Sequence, residues 1–414
     1  MRILQLAQFY PPVIGGEERH VRNLSVELAA LGHDVHVACL EMGGAPPQQD
    51  AGVHVHALTN VGVKVPALYP TADRPLALPL PDPLVTRALS RLVDEVRPDV
   101  VHAHNWIINS YLPLTAARRL PLVYSLHDYS HVCATKRLMF RDEELCSGPA
   151  PRKCLECSTD WYGAGRGPAI WSLVRAGRPV RNRVVDLFTP VSRFVGQANQ
   201  LDQQGVPWQV VPNFVPDSLL SARDLPRDPA LPKDNYLFFA GDLSEQKGVD
   251  TVLAAYATLD PATRPALVLV GRSAMDLSAL PDGAVAHEKW DHERVLSGFG
   301  HALAAVLPSR WPDPCPTTVL EAMALGAPLV TTRMGGIADM VTDGRSALVV
   351  PPGDVAATGA ALTRVVGDPS LREELSAQAS VEVRRYLQGT VARQLEEIYG
   401  RLVSGVGGAA PGRA

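Results

Sequence analysis

The sequence predicts an α/β protein of two doubly wound domains with parallel sheets, on three observations. Strand-length apolar runs alternate with amphipathic helical segments along most of the chain. That series occurs twice, with a Pro-rich stretch from Pro207 to Pro232 between the two runs. The length, 414 residues, suits two domains, and 46% hydrophobic with 20% charged residues is the balance of a folded chain with a large core.

Arg2 to Leu6 is a short apolar strand. Val21, Leu24, Leu28 and Leu31 then mark one helical face, and Gly32 is a natural C-terminal cap. Val35, Val37 and Cys39 alternate as a strand, as do Val53, Val55 and Ala57. A helix carrying Val85, Leu89, Leu92 and Val96 ends before Pro98, and Asp99–Ala103 and Leu122–Leu126 read as buried strands. In the second series the expected strands are Tyr236–Ala240, Ala266–Val270, Ala304–Leu307, Leu329–Thr332 and Ala347–Val350. Helices fit at Gly248–Leu259, Asp291–Ala302, Thr317–Leu325 and Asp354–Val366, and a last one at about Val391–Val403. The expected division is 1–205, with an inserted segment at about 128–185; 206–385; and 386–414, a helix packing back on the first domain followed by a flexible tail. Ligands of such folds bind beyond the carboxyl ends of the strands, so functional residues are expected there, in a cleft between the sheets.

Lys and Arg number 39 against 43 Asp and Glu, a net charge of −4, so the chain has no global footprint for nucleic acid. No stretch approaches 18 uncharged apolar residues, and the run Ile3–Ala7 is short and broken by Gln5. A cytoplasmic protein is expected.

After the strand ending at Leu307 comes a Pro-rich loop and a helix from Thr317. The N-terminus of that helix suits an anion. Asp313 and Glu321 are separated by seven residues, and a carboxylate on that helix can accept hydrogen bonds from ribose hydroxyls. The string around them resembles a signature of the retaining nucleotide-sugar glycosyltransferases of family 4, which have the two-domain GT-B fold. Further segments share the resemblance: Gly15-Gly16, Val211-Pro-Asn-Phe-Val, Gly241-Asp-Leu-Ser-Glu-Gln-Lys-Gly-Val-Asp, Ser309 and Gly335-Gly336. In this order and spacing the set is specific, and it covers nearly the whole chain.

The resemblance implies two Rossmann-like domains, a nucleoside diphosphate sugar donor (UDP ahead of GDP), transfer of a hexosyl group to an unspecified acceptor hydroxyl, and no catalytic cofactor. It places His127, Lys247 and Asp313 in the catalytic set. It places Gly15, Gly16, Asp242, Lys247, Gly248, Arg272, Glu321, Gly335 and Gly336 around the donor. Lys247 would meet the diphosphate, Glu321 the ribose, and Asp313 the hydroxyls of the sugar. The N–H groups from Gly335 and Gly336 onward would face the sugar or phosphate. Gly16 would let the backbone approach the donor closely. His127 would lie near sugar and acceptor, while His102 and His104 are expected in packing and at the wall of the site. A nucleotide-sugar epimerase and a non-catalytic nucleotide- or carbohydrate-binding protein are the alternatives.

Two positions depart from the family pattern. Asp242 stands where the family has arginine, which adds an anion beside the diphosphate; Arg272, at the end of the next strand, is expected as the compensating cation. Asp313 replaces the usual glutamate and shortens its reach by one methylene.

Cys133, Cys146, Cys154 and Cys157 fall in one 25-residue window, with only the last two at a common metal-ligand spacing. A structural metal, zinc foremost, is expected, with an iron–sulfur cluster or free or paired thiols as alternatives. From Trp161 to Arg183 there are five Arg and no Asp or Glu, with Tyr162 and Trp171 among them. That composition fits a peripheral membrane contact or an acidic or lipid-linked acceptor, and equally a solvated basic helix face.

Overall fold

A computed structural model describes residues 1–13, 16–41, 47–64, 77–141 and 143–405. Gly15 and the tail from 406 onward lie outside the described residues. The chain forms two compact units, Met1–Pro212 with Val391–Ala414, and Asn213–Thr390.

The first unit begins β1 (Arg2–Ala7), α1 (Gly16–Ala30), β2 (Asp34–Leu40), β3 (Gln49–Asp50), β4 (Val53–Leu58), α2 (Val61–Lys64), α3 (Pro83–Val96), β5 (Val100–His104), α4 (Ile108–Tyr111) and β6 (Leu122–Leu126). An insertion follows, with the hairpin β7 (Met139–Phe140) and β8 (Glu144–Leu145), then α5 (Pro151–Tyr162) and α6 (Arg166–Val184). The chain returns to the sheet at β9 (Leu187–Pro190) and continues into α7 (Arg193–Ala198). The sheet order is β3-β4-β2-β1-β5-β6-β9, parallel except for the β3–β4 pair. All five residues of β5 and of β6 are buried, as expected of central parallel strands covered on both faces. Helix α3 shows how local chemistry sets an end: the Asp82 side chain accepts from the N–H groups of Leu84 and Val85, and Pro83 takes a position where no N–H is needed.

The second unit runs β10 (Tyr236–Ala240), α8 (Val249–Ala257), β11 (Ala266–Val270), β12 (Ala284–His287), α9 (His292–Gly300), β13 (Ala304–Leu307), α10 (Thr317–Ala324), β14 (Leu329–Thr331), α11 (Ile337–Met340), β15 (Leu348–Val349), α12 (Val355–Gly367) and α13 (Pro369–Glu382). Its sheet is wholly parallel, in the order β12-β11-β10-β13-β14-β15. Helix α14 (Gln388–Val403) belongs from Val391 to the first unit, where Tyr399 is buried and Gln394 Nε2 donates to the Val210 carbonyl at 2.8 Å.

The first unit ends at Pro212, not at the expected 205. The reason lies in backbone pairing. Phe188 N–H donates to Pro207 O (3.0 Å), Gln209 N–H to Phe188 O (3.0 Å) and Val211 N–H to Pro190 O (3.1 Å), so this segment runs beside β9. The Arg-rich helix α6 is also not a uniformly solvated basic face. Arg181 is fully buried, its guanidinium donating to Asn109 Oδ1 (3.1 Å), His131 Nδ1 (3.3 Å) and the carbonyls of His131 and Val174 (both 3.2 Å).

Candidate active site

In the second unit the expected residues gather on loops that leave the carboxyl ends of adjacent strands. Beyond β10 and β11 the chain stays paired, Gly241 N–H to Val270 O at 3.0 Å and Leu243 N–H to Arg272 O at 2.9 Å. That pairing brings Asp242 and Arg272 side by side, Arg272 Nη2 donating to Asp242 Oδ2 at 3.2 Å. Both side chains are well exposed, 82% for Arg272 and 50% for Asp242. Such an exposed pair contributes about 0–1 kcal/mol, so a ligand can displace it at small cost.

Lys247 ends a short turn capped by Ser244, whose Oγ accepts from the Lys247 N–H at 3.3 Å. Gly248 follows at φ +79°, and a Cβ there would stand 2.2 Å from Pro308 O. Only glycine lets the turn press against the chain leaving β13. Gln246 O accepts from both Arg310 N–H and Trp311 N–H at 2.9 Å, which knits the two loops together. The Lys247 ammonium lies 4.9 Å from the Trp311 ring centroid and is ion-paired with the buried carboxylate of Asp313. Ser309 Oγ donates to Trp311 O at 2.9 Å, holding the same loop.

Gly335, at φ +62°, packs so closely that a Cβ would lie 2.2 Å from Asp313 O. The Gly336 N–H donates to that same carbonyl at 2.7 Å. This corrects the expectation for Gly336: its N–H supports the Asp313 loop instead of facing a ligand. Gly16 differs from both. It opens α1, and among the described residues, its chain neighbours and its own helix backbone aside, a Cβ there would meet no protein atom within 4 Å, so their packing does not demand glycine.

Glu321 lies on α10 with only 6% of its side chain exposed, and its Oε1 is 2.8 Å from His292 Nε2, at the start of α9. Imidazole N–H is the donor in that bond, because an ionised carboxylate only accepts. His292 had no signal in the sequence, because its partner lies on a different helix. At the start of α10 the Pro316 cap gives no side-chain hydrogen bond to the first-turn N–H groups.

In the first unit His127 follows β6 directly. His127 Nε2 is 2.9 Å from His104 Nδ1, and His104 Nε2 is 2.9 Å from Gln5 Oε1. Gln5 Oε1 only accepts, so His104 carries its proton on Nε2 and accepts at Nδ1 from His127 Nε2–H. Neutral His127 therefore has its lone pair on Nδ1. Behind this pair, His102 Nδ1 meets Tyr399 Oη at 2.6 Å and His102 Nε2 meets Ser125 Oγ at 2.7 Å. His102 and His104, expected in packing, are buried; His104 also orients His127, and the His102 ring stands 4.2 Å from that of His104. The His20 ring stands 4.8 Å from that of His127. Burial holds His20 and His104 well below the usual histidine range and His102 at about 3, so all three are neutral.

Nearby, Glu17 accepts from Asn105 Nδ2 at 2.6 Å, and Lys136 Nζ donates to Asn105 Oδ1 at 2.9 Å. Burial raises the Glu17 carboxyl to about 6, against the opposing effects of Asn105 and Lys136. Neither Glu17 nor His20 was singled out from sequence; each stands on α1, close behind the glycine pair. Asp128 caps a turn, its Oδ1 accepting from Ser130 N–H at 2.8 Å.

Among the described residues, two groups of three place all their ligand atoms within 4.8 Å of one another: His20, His104 and His127, and Asp34, His36 and His54. In the first, the His104–His127 hydrogen bond already uses the facing nitrogens. Cys133, Cys146, Cys154 and Cys157 are free thiols lining one cavity in the insertion.

Two parallel doubly wound units, with charged loop residues at the strand ends of one and a histidine chain at the strand ends of the other, define a GT-B glycosyltransferase. Comparison with known proteins agrees. Residues 14–219 match the Glycosyltransferase Family 4 model, and residues 222–381 match the model described as Glycosyl transferases group 1. The chain is 29% identical over 395 residues to glycogen synthase of Mycobacterium tuberculosis, a match covering 89% of this chain and 87% of the relative. Sucrose-phosphate synthase from Thermosynechococcus elongatus superposes with a TM-score of 0.70 at 18% identity, over 98% of this chain and 99% of that one. Anabaena HepE, solved in complex with UDP-glucose, does so with a TM-score of 0.65 at 17% identity, over 97% and 99%. The chain belongs to the family 4 glycosyltransferases.

Proposed function

We propose that this enzyme moves a hexosyl group from a nucleoside diphosphate sugar to an acceptor hydroxyl with retention of configuration, and that UDP is preferred to GDP. The observation that carries the reading is the Lys247–Asp313 ion pair on loops at the strand ends of the second unit, with Glu321 on the helix α10 that follows the second of those loops. HepE, which shares the fold, was solved with UDP-glucose.

In this reading the donor diphosphate draws Lys247 from Asp313, and Arg272 turns from Asp242 to the same phosphates. Charge growing on the leaving diphosphate is then met by two cations and the first-turn N–H groups of α10. Asp313, released from Lys247, accepts from hydroxyls of the sugar. Glu321 takes the ribose, with His292 fixing one of its oxygens. Gly16 leaves room for the donor beside α1. His127, with its lone pair at Nδ1, orients a sugar or acceptor hydroxyl. Attack comes from the face that the diphosphate leaves, and the leaving phosphate takes the acceptor proton, so no side chain forms a covalent intermediate.

On the acceptor side, a recess of about 310 Å³ in the first unit is lined by His131, Trp171, Arg175 and Arg178. It suits an acceptor with an acidic or lipid-linked group, and α6 is the surface we assign to any contact with a membrane face. Product analysis tests the whole reading. The chain is incubated with UDP-glucose and with GDP-mannose and a panel of hydroxyl acceptors, and products are read by mass spectrometry and anomeric NMR. A glycosylated acceptor with the donor's anomeric configuration is expected. An epimerised donor, or donors left intact under all conditions, would overturn it.

A further inference from the structure

We infer that Cys133, Cys146, Cys154 and Cys157 form a structural zinc site that fastens the insertion of the first unit. The four thiols come from three separate pieces of chain. Cys133 lies in the turn after β6, its N–H donating to Tyr129 O at 2.8 Å, and Cys146 follows β8, its N–H donating to Leu138 O at 2.9 Å. Cys154 and Cys157 share one side of α5, three residues apart. All four line a single small cavity of about 30 Å³ whose other walls include Val132, Leu138, Met139, Phe140 and Pro149.

Ordinary packing does not account for them. A cysteine acting as a small hydrophobe is fully buried, as Cys39 and Cys315 are, whereas these four are only partly buried. Cys146 and Cys157 donate their S–H to the carbonyls of Gly148 and Met139, at 3.5 and 3.6 Å, protons that a metal would displace, while Cys154 is already set up as a ligand. The Ala150 N–H donates to Cys154 Sγ at 3.2 Å, the outer contact a metal-bound thiolate takes. Lys153 lines the same cavity and offsets part of the charge of a four-thiolate ion. Four soft ligands with no carboxylate or imidazole among them select zinc in a closed tetrahedral site. Binding draws the sulfurs inward from the cavity wall to about 2.3 Å from the ion.

The fold explains why a metal belongs there. Between β6 and α5 the only regular structure among the described residues is a hairpin of two-residue strands. Most of Tyr129 to Met139 is buried, but Arg141, Glu143, Glu144, Leu145 and Ser147 are exposed, so the outer part of the segment is what a metal would fasten. The same loop carries Lys136, which lies 4.1 Å over the Trp106 ring and bonds Asn105, the partner of Glu17. A zinc cross-link therefore holds Lys136 and Glu17 in place near His127 without touching substrate.

The test is the metal content of the full chain, purified anaerobically without chelator, with thiols titrated under native conditions. One zinc per chain is expected, with Cys133, Cys146, Cys154 and Cys157 protected from thiol reagent until the metal is chelated. Cobalt exchanged for zinc should give an intense thiolate-to-cobalt charge-transfer band. The double change Cys154→Ser and Cys157→Ser should abolish metal binding, and Cys315→Ala should keep it. Metal-free protein with four reactive thiols that takes up neither zinc nor cobalt would overturn the inference, and so would iron with acid-labile sulfide. The wild-type readings decide the matter even if the double variant fails to fold.

Discussion

The Lys247 ammonium is ion-paired with the carboxylate of Asp313, sixty-six residues further along the chain. One member of the pair sits on the turn after β10 and the other on the loop after β13, neighbouring strands of the sheet. In the proposed mechanism the two have different tasks, so breaking the pair from either side has opposite effects on binding. Lys247→Ala removes a charged partner of the diphosphate and should weaken UDP binding by about 10- to 100-fold. Asp313→Asn frees the lysine, so UDP should bind as tightly or more tightly while transfer falls sharply. Calorimetric titration with UDP and steady-state rates measure the two. Equal weakening of UDP in both variants would contradict the assignment.

Asp242 and Arg272 form an exposed pair that contributes little to stability. Arg272→Ala should leave the melting temperature within about a degree and weaken UDP binding by roughly 10-fold, in line with the loss of one charged hydrogen bond. Asp242→Ala should strengthen it. Unchanged affinity in Arg272→Ala would end the idea of a charge exchange between the two strand ends.

The glycines separate structure from ligand approach. Gly335→Ala forces a left-handed residue to carry a Cβ 2.2 Å from Asp313 O. The conformation alone costs about 1–2 kcal/mol, and the melting temperature should drop by several degrees. Among the described residues, its chain neighbours and its own helix backbone aside, Gly16→Ala meets no protein atom within 4 Å, so stability should hold while donor affinity falls. Thermal unfolding with and without UDP-glucose reads both effects.

Acid should destabilise the first unit. Burial keeps His20, His104 and His131 well below the usual value of 6.5 and His102 at about 3, so the folded chain holds them neutral. Their stabilising contribution is complete above pH 6.5. It is lost as pH falls from there towards the folded values, because the unfolded chain binds the protons first. Each proton difference is worth about 1.4 kcal/mol per pH unit. Glu17 works the other way, since its folded value of about 6 exceeds the ordinary 4.5, so between these its contribution is lost as pH rises. Asp186, also raised by burial, acts in the sense of Glu17, while His36 and His56, also lowered by burial, add to the four histidines, so melting temperature should fall steadily from pH 6.5 to pH 5. A flat profile over that range would contradict the buried neutral assignment.

How much of this was legible in the sequence follows from where burial comes from. β1, β5, β6, β10, β11 and β13 are covered on both faces, and their apolar runs stand out without any partner being known. β12, at the sheet edge, is only half-buried, and α13 buries just Leu375 and Ala379, so neither has a run or stripe to find. The continuation of the first unit to Pro212 depends on backbone pairing with β9, which side-chain pattern does not report. Lys247, Asp313 and Glu321 were readable because each sits in a local motif. His292, Glu17, His20 and Tyr399 were not, because each gains its meaning from a partner on another element. Gly336 shows the limit from the other side: the glycine pair was evident, but the destination of its N–H was settled by Asp313 O.

In the proposed function the loops of the second unit hold a nucleoside diphosphate sugar through Lys247. The most direct measurement is titration of UDP, GDP and ADP, and then UDP-glucose, onto the wild-type chain and Lys247→Ala by calorimetry. Saturable binding of UDP and UDP-glucose, weaker binding of GDP, and a loss of about 10-fold or more for each ligand in the variant are expected. Absence of nucleotide binding by the folded wild-type chain, or equal affinity in the variant, would contradict it.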